Sequence, residues 1–310
     1  MMIKNDQRST NNDQRINALA LQVGFDACGV CRADYLFEQE NPLNLWLNNG
    51  FQGEMGYMEH NIDKRLDPRL LVPNAKSVIS VLLNYYPGNP NISTIPPKIS
   101  RYALGQDYHT VVKDKLYQLL ELIRKEYGKV EGRAFVDSAP VLERTWAVKA
   151  GLGWIGKNGM LIHPKLGSFF FIGELIVDLE IEPSTSNIPN RCGTCTRCLD
   201  SCPTGAIVSP MVIDSRKCIS YLTIEKKSPL TDEEKNSLSG WCFGCDICQE
   251  VCSWSSKSII TKTKELKPEL EILNLHKDAI ASISKKDFEK NFSNTPVSRA
   301  GYEKFKSIGD

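Results

Sequence analysis

The sequence predicts a mixed α+β chain in three parts: an α/β domain over residues 1–183, a cysteine-rich cluster module over 184–256, and a short helical segment over 257–310. Three observations carry this reading. Helix-period and strand-period stretches alternate through the first part. A Pro/Ser/Asn-rich link, Pro183–Asn190, then gives way sharply to closely spaced cysteines. The Lys-rich end returns to helical patterning around Lys267–Leu275 and Lys285–Phe292. A length of 310 residues suits two domains, and a hydrophobic fraction of 41% supports an ordinary core.

Ile16, Leu19, Ala20 and Val23 recur at helical spacing from Asp13 onward, and Gly24 stops the pattern, so the first element is an amphipathic helix. The following ACGVCRA reads as a short apolar strand. Cys28 and Cys31 spell C-x-x-C within it, but strand residues three apart point to opposite faces, which predicts structural thiols and not a redox pair. Met55–Arg69 mixes aromatic, basic and acidic residues without a period and is expected to be irregular and ligand-contacting. Lys76–Tyr86 is apolar and β-branched up to Pro87 and Gly88, as a buried strand requires.

Asp107 is placed to cap a helix whose Val111, Val112, Leu116, Leu119, Leu120 and Ile123 share one face and which Gly128 ends. Arg133–Asp137 reads as a strand ending in an acid, with a helix from Val141 to Ala150 after it. A carboxylate at a strand end is where α/β folds tend to place chemistry; capping a turn would equally explain it. Gly151, Gly153 and Gly156 form G-x-G-x-x-G, yet a helix precedes it and the strand-like MLIH follows, the reverse of a dinucleotide site. A phosphate loop fails too, since Asn158 stands where Ser or Thr is needed. These glycines serve close approach of the backbone to a large ligand, or a turn. Ser168–Ile181 supplies one or two core strands.

The chemistry is concentrated in the cysteines. Cys192, Cys195, Cys198 and Cys202 form C-x2-C-x2-C-x3-C-P, the bacterial ferredoxin run in which three thiolates hold one iron-sulfur cube and the fourth serves another. A second cube should follow, and Cys218, Cys242, Cys245, Cys248 and Cys252 are available for it, one more than a total of eight ligands needs. Either Cys242 or Cys218 is spare. Ser253 replaces the proline expected after Cys252, which weakens a second complete run beginning at Cys242. Structural zinc also uses C-x2-C pairs, but not three successive cysteines at this interval closed by x3-C-P.

Eleven cysteines in a chain whose opening lacks the apolar core of a secretory signal argue for metal or redox work and against disulfides. No apolar run is long enough to span a bilayer, so the expected location is cytoplasmic, without a membrane partner. A formal charge of +1 gives no global signature of nucleic acid and leaves the partner open.

Beyond the cysteines, RYALGQDYH, FVDSAP followed by ER, AGLGWIGKN, CGTCTRCLDSCPTGAI, DSRKCISYLTIEKK and GCDICQEVC run in order between about Arg65 and Trp254. In these the sequence resembles the epoxyqueuosine reductases, the cobalamin and iron-sulfur enzymes that complete queuosine in tRNA. The resemblance implies a nitroreductase-like α/β domain that binds cobalamin against a bacterial-ferredoxin-like domain. It also implies that DSRKCISYLTIE supplies a cluster cysteine and that the second motif starts at Gly244 and Cys245. Cys218 is then a ligand and Cys242 the extra thiol. One 4Fe-4S cube would take Cys192, Cys195, Cys198 and Cys252, the other Cys202, Cys218, Cys245 and Cys248.

By the same resemblance Arg65, Ser100, Asn158, Leu161 and Ser220 fall in stretches that contact cobalamin. Asp137 also borders the cofactor, at the position of the proton donor, and Lys226 matches a residue facing tRNA. The implied reaction removes an epoxide oxygen to leave an alkene, which takes two electrons and protons; Asp137 would need to hold a proton near neutral pH, as burial beside an apolar corrin favours. The implied partners are a tRNA carrying epoxyqueuosine at the anticodon wobble position and a small electron donor, a flavodoxin or ferredoxin. Family members often continue into C-terminal helical repeats that help grip tRNA. The 310 residues contain none, so either the core alone meets the anticodon or the repeats belong to sequence beyond it. Two other readings are a reductive dehalogenase-like enzyme, usually exported and using a tyrosine as proton donor, and a non-enzymatic electron carrier or cobalamin-handling protein, which needs no Asp137.

Overall fold

Two central strands, both buried along nearly their whole length, set the architecture. β2 (Ser77–Asn84) is buried at every position and β7 (Phe170–Val177) at all but one, so each must be covered on both faces. They pair antiparallel with each other and with the edge strands β1 (Ala27–Arg32) and β4 (Gly132–Phe135), in the order β1-β2-β7-β4. The computed structural model describes residues 12–88, 97–184, 187–269 and 277–309.

Side chains alternate between the two faces with period two. One face carries Cys28, Val30, Ile79, Val81, Leu83, Leu175 and Val177 against α1 (Asn12–Val23) and α4 (Tyr108–Tyr127), through Ile16, Leu19, Val112, Leu116 and Leu119. The other carries Cys31, Val78, Leu82 and Ile176 against Trp146, Ala147 and Ala150, at and just beyond α5 (Glu143–Lys149). Cys28 and Cys31 therefore lie on opposite faces of the sheet, as strand geometry requires. Asp107 caps α4 by accepting from the His109 amide, and the Gly128 amide closes the helix on Arg124.

Several expectations need correction. Met55–Arg69 is not irregular throughout: it contains a 3-10 turn, Gly56–Met58, and a short helix α3 (Ile62–Leu66), because Arg65 and Leu66 bury there. The strand expected to reach Asp137 ends at Phe135, whereas Ser168–Ile181 supplies one core strand, within what its pattern predicts. Gly153 makes room for a backbone neighbour and not for a ligand, since a Cβ there would lie 2.2 Å from the Ile162 carbonyl oxygen. The helix α2 (Phe37–Asn48) carried no clear signal, with Pro42 inside it and only Leu43 buried. The expected helix at Lys285–Phe292 forms; that at Lys267–Leu275 lies largely outside the described residues.

A third core joins distant parts of the chain. The strand β10 (Trp241–Phe243) pairs in parallel with β3 (Lys98–Ile99), and Ile99, Ala103, Leu104 and Phe243 pack against Phe288, Phe292, Val297 and Phe305 near the C-terminus. Beside this seam the Ser100 hydroxyl and the Arg101 amide donate to buried Asp246. The Arg101 guanidinium reaches both Asp246, at 3.2 Å, and Glu250. Asp246 sits between Cys245 and Cys248, so this network fixes the second cysteine motif against the α/β layers.

Candidate active site and metal centre

One residue past the end of β4 and Val136, Asp137 adopts a left-handed backbone conformation, φ 53°. The Tyr108 hydroxyl donates to Asp137 Oδ2, and His109 Nε2 stands 3.7 Å from the same oxygen. Both donors come from the first turn of α4, which its cap orients: Asp107 Oδ1 lies 2.7 Å from His109 Nδ1. Tyr108 is fixed by stacking on Phe171, ring centroids 4.1 Å apart. The Asp137 amide donates to Glu143 Oε1, at the start of α5. Asp137 keeps 60% of its side-chain surface open, while protein surrounds it on most sides. It thus lies at the floor of a cleft.

The charges in this cleft follow from these contacts. The hydrogen bond to Asp107 and the nearby Asp137 carboxylate raise His109 to about 9, so it is a cation at neutral pH. Burial, and then the charge of Asp137, raise Glu143 to about 8. For Asp137 burial acts upward, but the adjacent His109 cation and the hydrogen bond from Tyr108 outweigh it and hold the carboxyl below its ordinary value. Within these contacts Asp137 is favoured as the carboxylate, and the neighbouring protons are on His109, Tyr108 and Glu143.

The cysteines gather as two groups of four. In the first, the charges of Cys252 and Cys192 act on Cys198, and those of Cys192 and Cys195 on Cys252. These four thiols line one cavity together with Lys157, Asn158 and Trp254. In the second, Cys202 acts on Cys218, and both act on Cys245, raised to about 12 chiefly by burial. Cys248 is pushed up by burial and then by Cys245 and Cys218, and it also senses Cys198, where the groups meet. Four thiols that raise one another suit a site in which iron supplies the compensating positive charge. Cys242 stands apart: it is 3% exposed, donates to the Lys98 carbonyl at 3.3 Å, and burial alone raises it to about 12.

The remaining predicted residues are placed less uniformly. Arg65 is buried, with its guanidinium on the Tyr57 carbonyl at 2.8 Å and Nε without a partner among the described residues, a donor a polar ligand could use. Asn158 donates to the Cys248 carbonyl at 3.1 Å and so touches the cluster region. Ser100 is spent on Asp246, and Leu161 is buried in β6 (Leu161–Ile162). Ser220 lies two residues from Cys218, in α7 (Ile219–Ile224). Lys226 is only 12% exposed and pairs with Glu234 at 2.6 Å, so in this conformation it is not presented to a phosphate. A buried guanidinium with a spare donor fits the polar groups of a large cofactor such as cobalamin. Sequence reading did not single out Tyr108, His109 or Glu143; their signal was the run Asp-Tyr-His at a helix cap and the Glu that follows FVDSAP.

A family model described as "Epoxyqueuosine reductase QueG, DUF1730" matches residues 65–138, and a "4Fe-4S double cluster binding domain" matches residues 191–255. The epoxyqueuosine reductase of Leadbetterella byssophila is 54% identical over 255 residues, covering 82% of this chain and 83% of that protein. The chain belongs to the epoxyqueuosine reductase family. The Cyclobacterium marinum reductase is 48% identical and covers 94% of both chains; the Escherichia coli reductase is 42% identical over 82% of this chain and 68% of its own. Among solved structures, an epoxyqueuosine reductase with an epoxyqueuosine-modified tRNA-Tyr stem loop superposes with a TM-score of 0.86. It has 30% identity, over 96% of this chain and 79% of that one. The Bacillus subtilis reductase, with its aspartate-bearing catalytic loop swung out of the active site, superposes with a TM-score of 0.87 at 29% identity, over 96% of this chain and 79% of that one. As an epoxyqueuosine reductase the protein is an oxidoreductase with two 4Fe-4S clusters and a tRNA-directed activity.

Proposed function

We propose that this chain reduces epoxyqueuosine to queuosine in the wobble position of a tRNA anticodon, with Asp137 delivering a proton to the departing oxygen. The observation that carries the reading is the Asp137 cleft, a hydrogen-bonded acid flanked by protonated His109 in a chain that also gathers two groups of four thiols. The reaction balances as epoxide plus two electrons and two protons giving alkene and water.

Clusters on Cys192, Cys195, Cys198 and Cys252, and on Cys202, Cys218, Cys245 and Cys248, relay single electrons at low potential. Arg65, Ser100, Asn158, Leu161, Ser220 and Asp137 would hold cobalamin, which would supply two-electron reducing chemistry when bound. The protein's own part is proton handling. His109, protonated at neutral pH, faces Asp137 Oδ2. When cofactor and substrate fill the cleft and exclude water, burial acts upward on Asp137 and favours proton transfer from His109 to the carboxylate and on to the leaving oxygen.

The finer assignments rest on the same reading. The division at 183/184 and 256/257 separates the cobalamin-binding, ferredoxin-like and C-terminal parts. Lys226 meets tRNA once it leaves Glu234. A small acidic electron carrier, flavodoxin or ferredoxin, docks near exposed Cys195, where Lys157, Arg191 and Arg197 line the cavity. No described helix is long and apolar enough to cross a membrane, and the proposed location is cytoplasmic. A dehalogenase reading is not favoured, since the curated relatives are reductases of epoxyqueuosine and Asp137 occupies the motif position. The test is conversion of epoxyqueuosine in tRNA by the reduced, cobalamin-loaded protein; no conversion with both clusters present would refute the reading.

A further inference from the structure

Asp137 carries its carboxylate on a backbone that non-glycine residues rarely adopt; left-handed φ is unfavourable for an L-residue, less so for Asp. The Ser138 amide donates to the Val136 carbonyl across it and closes a tight turn, and a side-chain contact secures that turn. Val136, before it, is buried in the sheet core. The residues that follow, Ser138, Ala139 and Pro140, lie outside regular structure and lead to α5. The polar partner of the Asp137 amide is Glu143 Oε1. Glu143 is well anchored for this task, because α5 buries Trp146 and Ala147 against the sheet one turn later. Glu174 in β7 is fully buried, with neither carboxylate oxygen bonded among the described residues, and the nearby Glu143 charge disfavours its ionised form.

We propose that Glu143 is a positioning residue: by accepting the Asp137 amide it holds residue 137 left-handed and so aims the Asp137 carboxylate at Tyr108, His109 and the cleft. Only an acceptor oxygen at Oε1 is required for this, not a negative charge. A glutamine serves and an alanine does not. The consequence for turnover rests on Asp137 being the proton donor; the consequence for the backbone does not.

The experiment compares Glu143→Ala and Glu143→Gln in the cluster- and cobalamin-loaded enzyme. Amide exchange is read at Asp137 on short overlapping peptides, and kcat and KM are measured for tRNA. Losing one hydrogen bond to a carboxyl acceptor should speed exchange at Asp137 by about tenfold in Glu143→Ala and lower kcat by at least about that factor, with KM little changed. Glu143→Gln should restore slow exchange and most of the rate. Unchanged exchange in Glu143→Ala overturns the proposal. So does a glutamine variant as impaired as alanine, which would make the Glu143 proton, and not its acceptor oxygen, the functional element. If exchange speeds up while turnover persists, the positioning role stands and the assignment of Asp137 as donor falls.

Discussion

Replacing Cys218 and Cys242 separately by serine tests which of the five downstream thiols bind iron. Cys218 lies within the electrostatic reach of Cys202, Cys245 and Cys248. Cys218→Ser therefore leaves three thiolates for that cube and none of the iron at the other is disturbed. Iron per chain should fall from about eight to between about four and seven, according to whether the cube is lost or persists as a three-iron form. Cys242 has a different environment: the residue is 3% exposed, sits in an apolar cluster and donates to the Lys98 carbonyl, at 3.3 Å. Serine there exchanges a small apolar group for a hydroxyl that can still bond that carbonyl, a cost of about 1 kcal/mol. That corresponds to a lowering of the melting temperature by roughly 2–4 °C with full iron retained. Iron and sulfide analysis with the visible spectrum of anaerobically purified protein gives the comparison. Full iron in Cys218→Ser, or loss of a cluster in Cys242→Ser, would refute the ligand sets.

Two further outcomes follow from the buried acids and the histidine. Burial raises the Glu174 pKa far above its unfolded value, so the folded state binds more protons than the unfolded one and stability falls as pH rises above the unfolded pKa. Glu174→Gln should flatten this slope by about 1.4 kcal/mol per pH unit between roughly pH 5 and 7 in denaturant titrations, and an unchanged slope would contradict the placement. Asp107 and Asp137 together raise His109 to about 9, so Asp137→Asn should lower that value while Asp107 keeps it above the ordinary range. Asp107→Asn should lower it further, because Asp107 contributes the larger share; NMR titration of the histidine ring reads both, and an unmoved value in either variant would break the relay.

The strands at Lys76–Tyr86 and within Ser168–Ile181 were legible because both faces are covered, giving a nearly unbroken apolar run. Glu174 breaks that run without disturbing it, since it is neutral where it sits. The helix from Tyr108 was legible from its one-sided pattern and its Asp107 cap. What escaped was non-local. Two-residue β3 has no period of its own and exists because Trp241–Phe243 pairs with it. The Asp246 network likewise joins residues about 145 apart in sequence. In the site, motif resemblance located Asp137, but its ionisation depends on Tyr108 and His109 reaching it from another element, which spacing could not disclose.

The most direct measurement is the nucleoside composition of epoxyqueuosine-containing tRNA after incubation with the reduced, cobalamin-loaded protein and, in parallel, with its Asp137→Asn variant. The account predicts conversion of epoxyqueuosine to queuosine by the first. It predicts loss of at least about a hundredfold in rate for the second, the lower range of general acid catalysis, with iron and cobalamin contents unchanged. Undiminished turnover in Asp137→Asn, or no queuosine from the fully loaded wild-type protein, would contradict it.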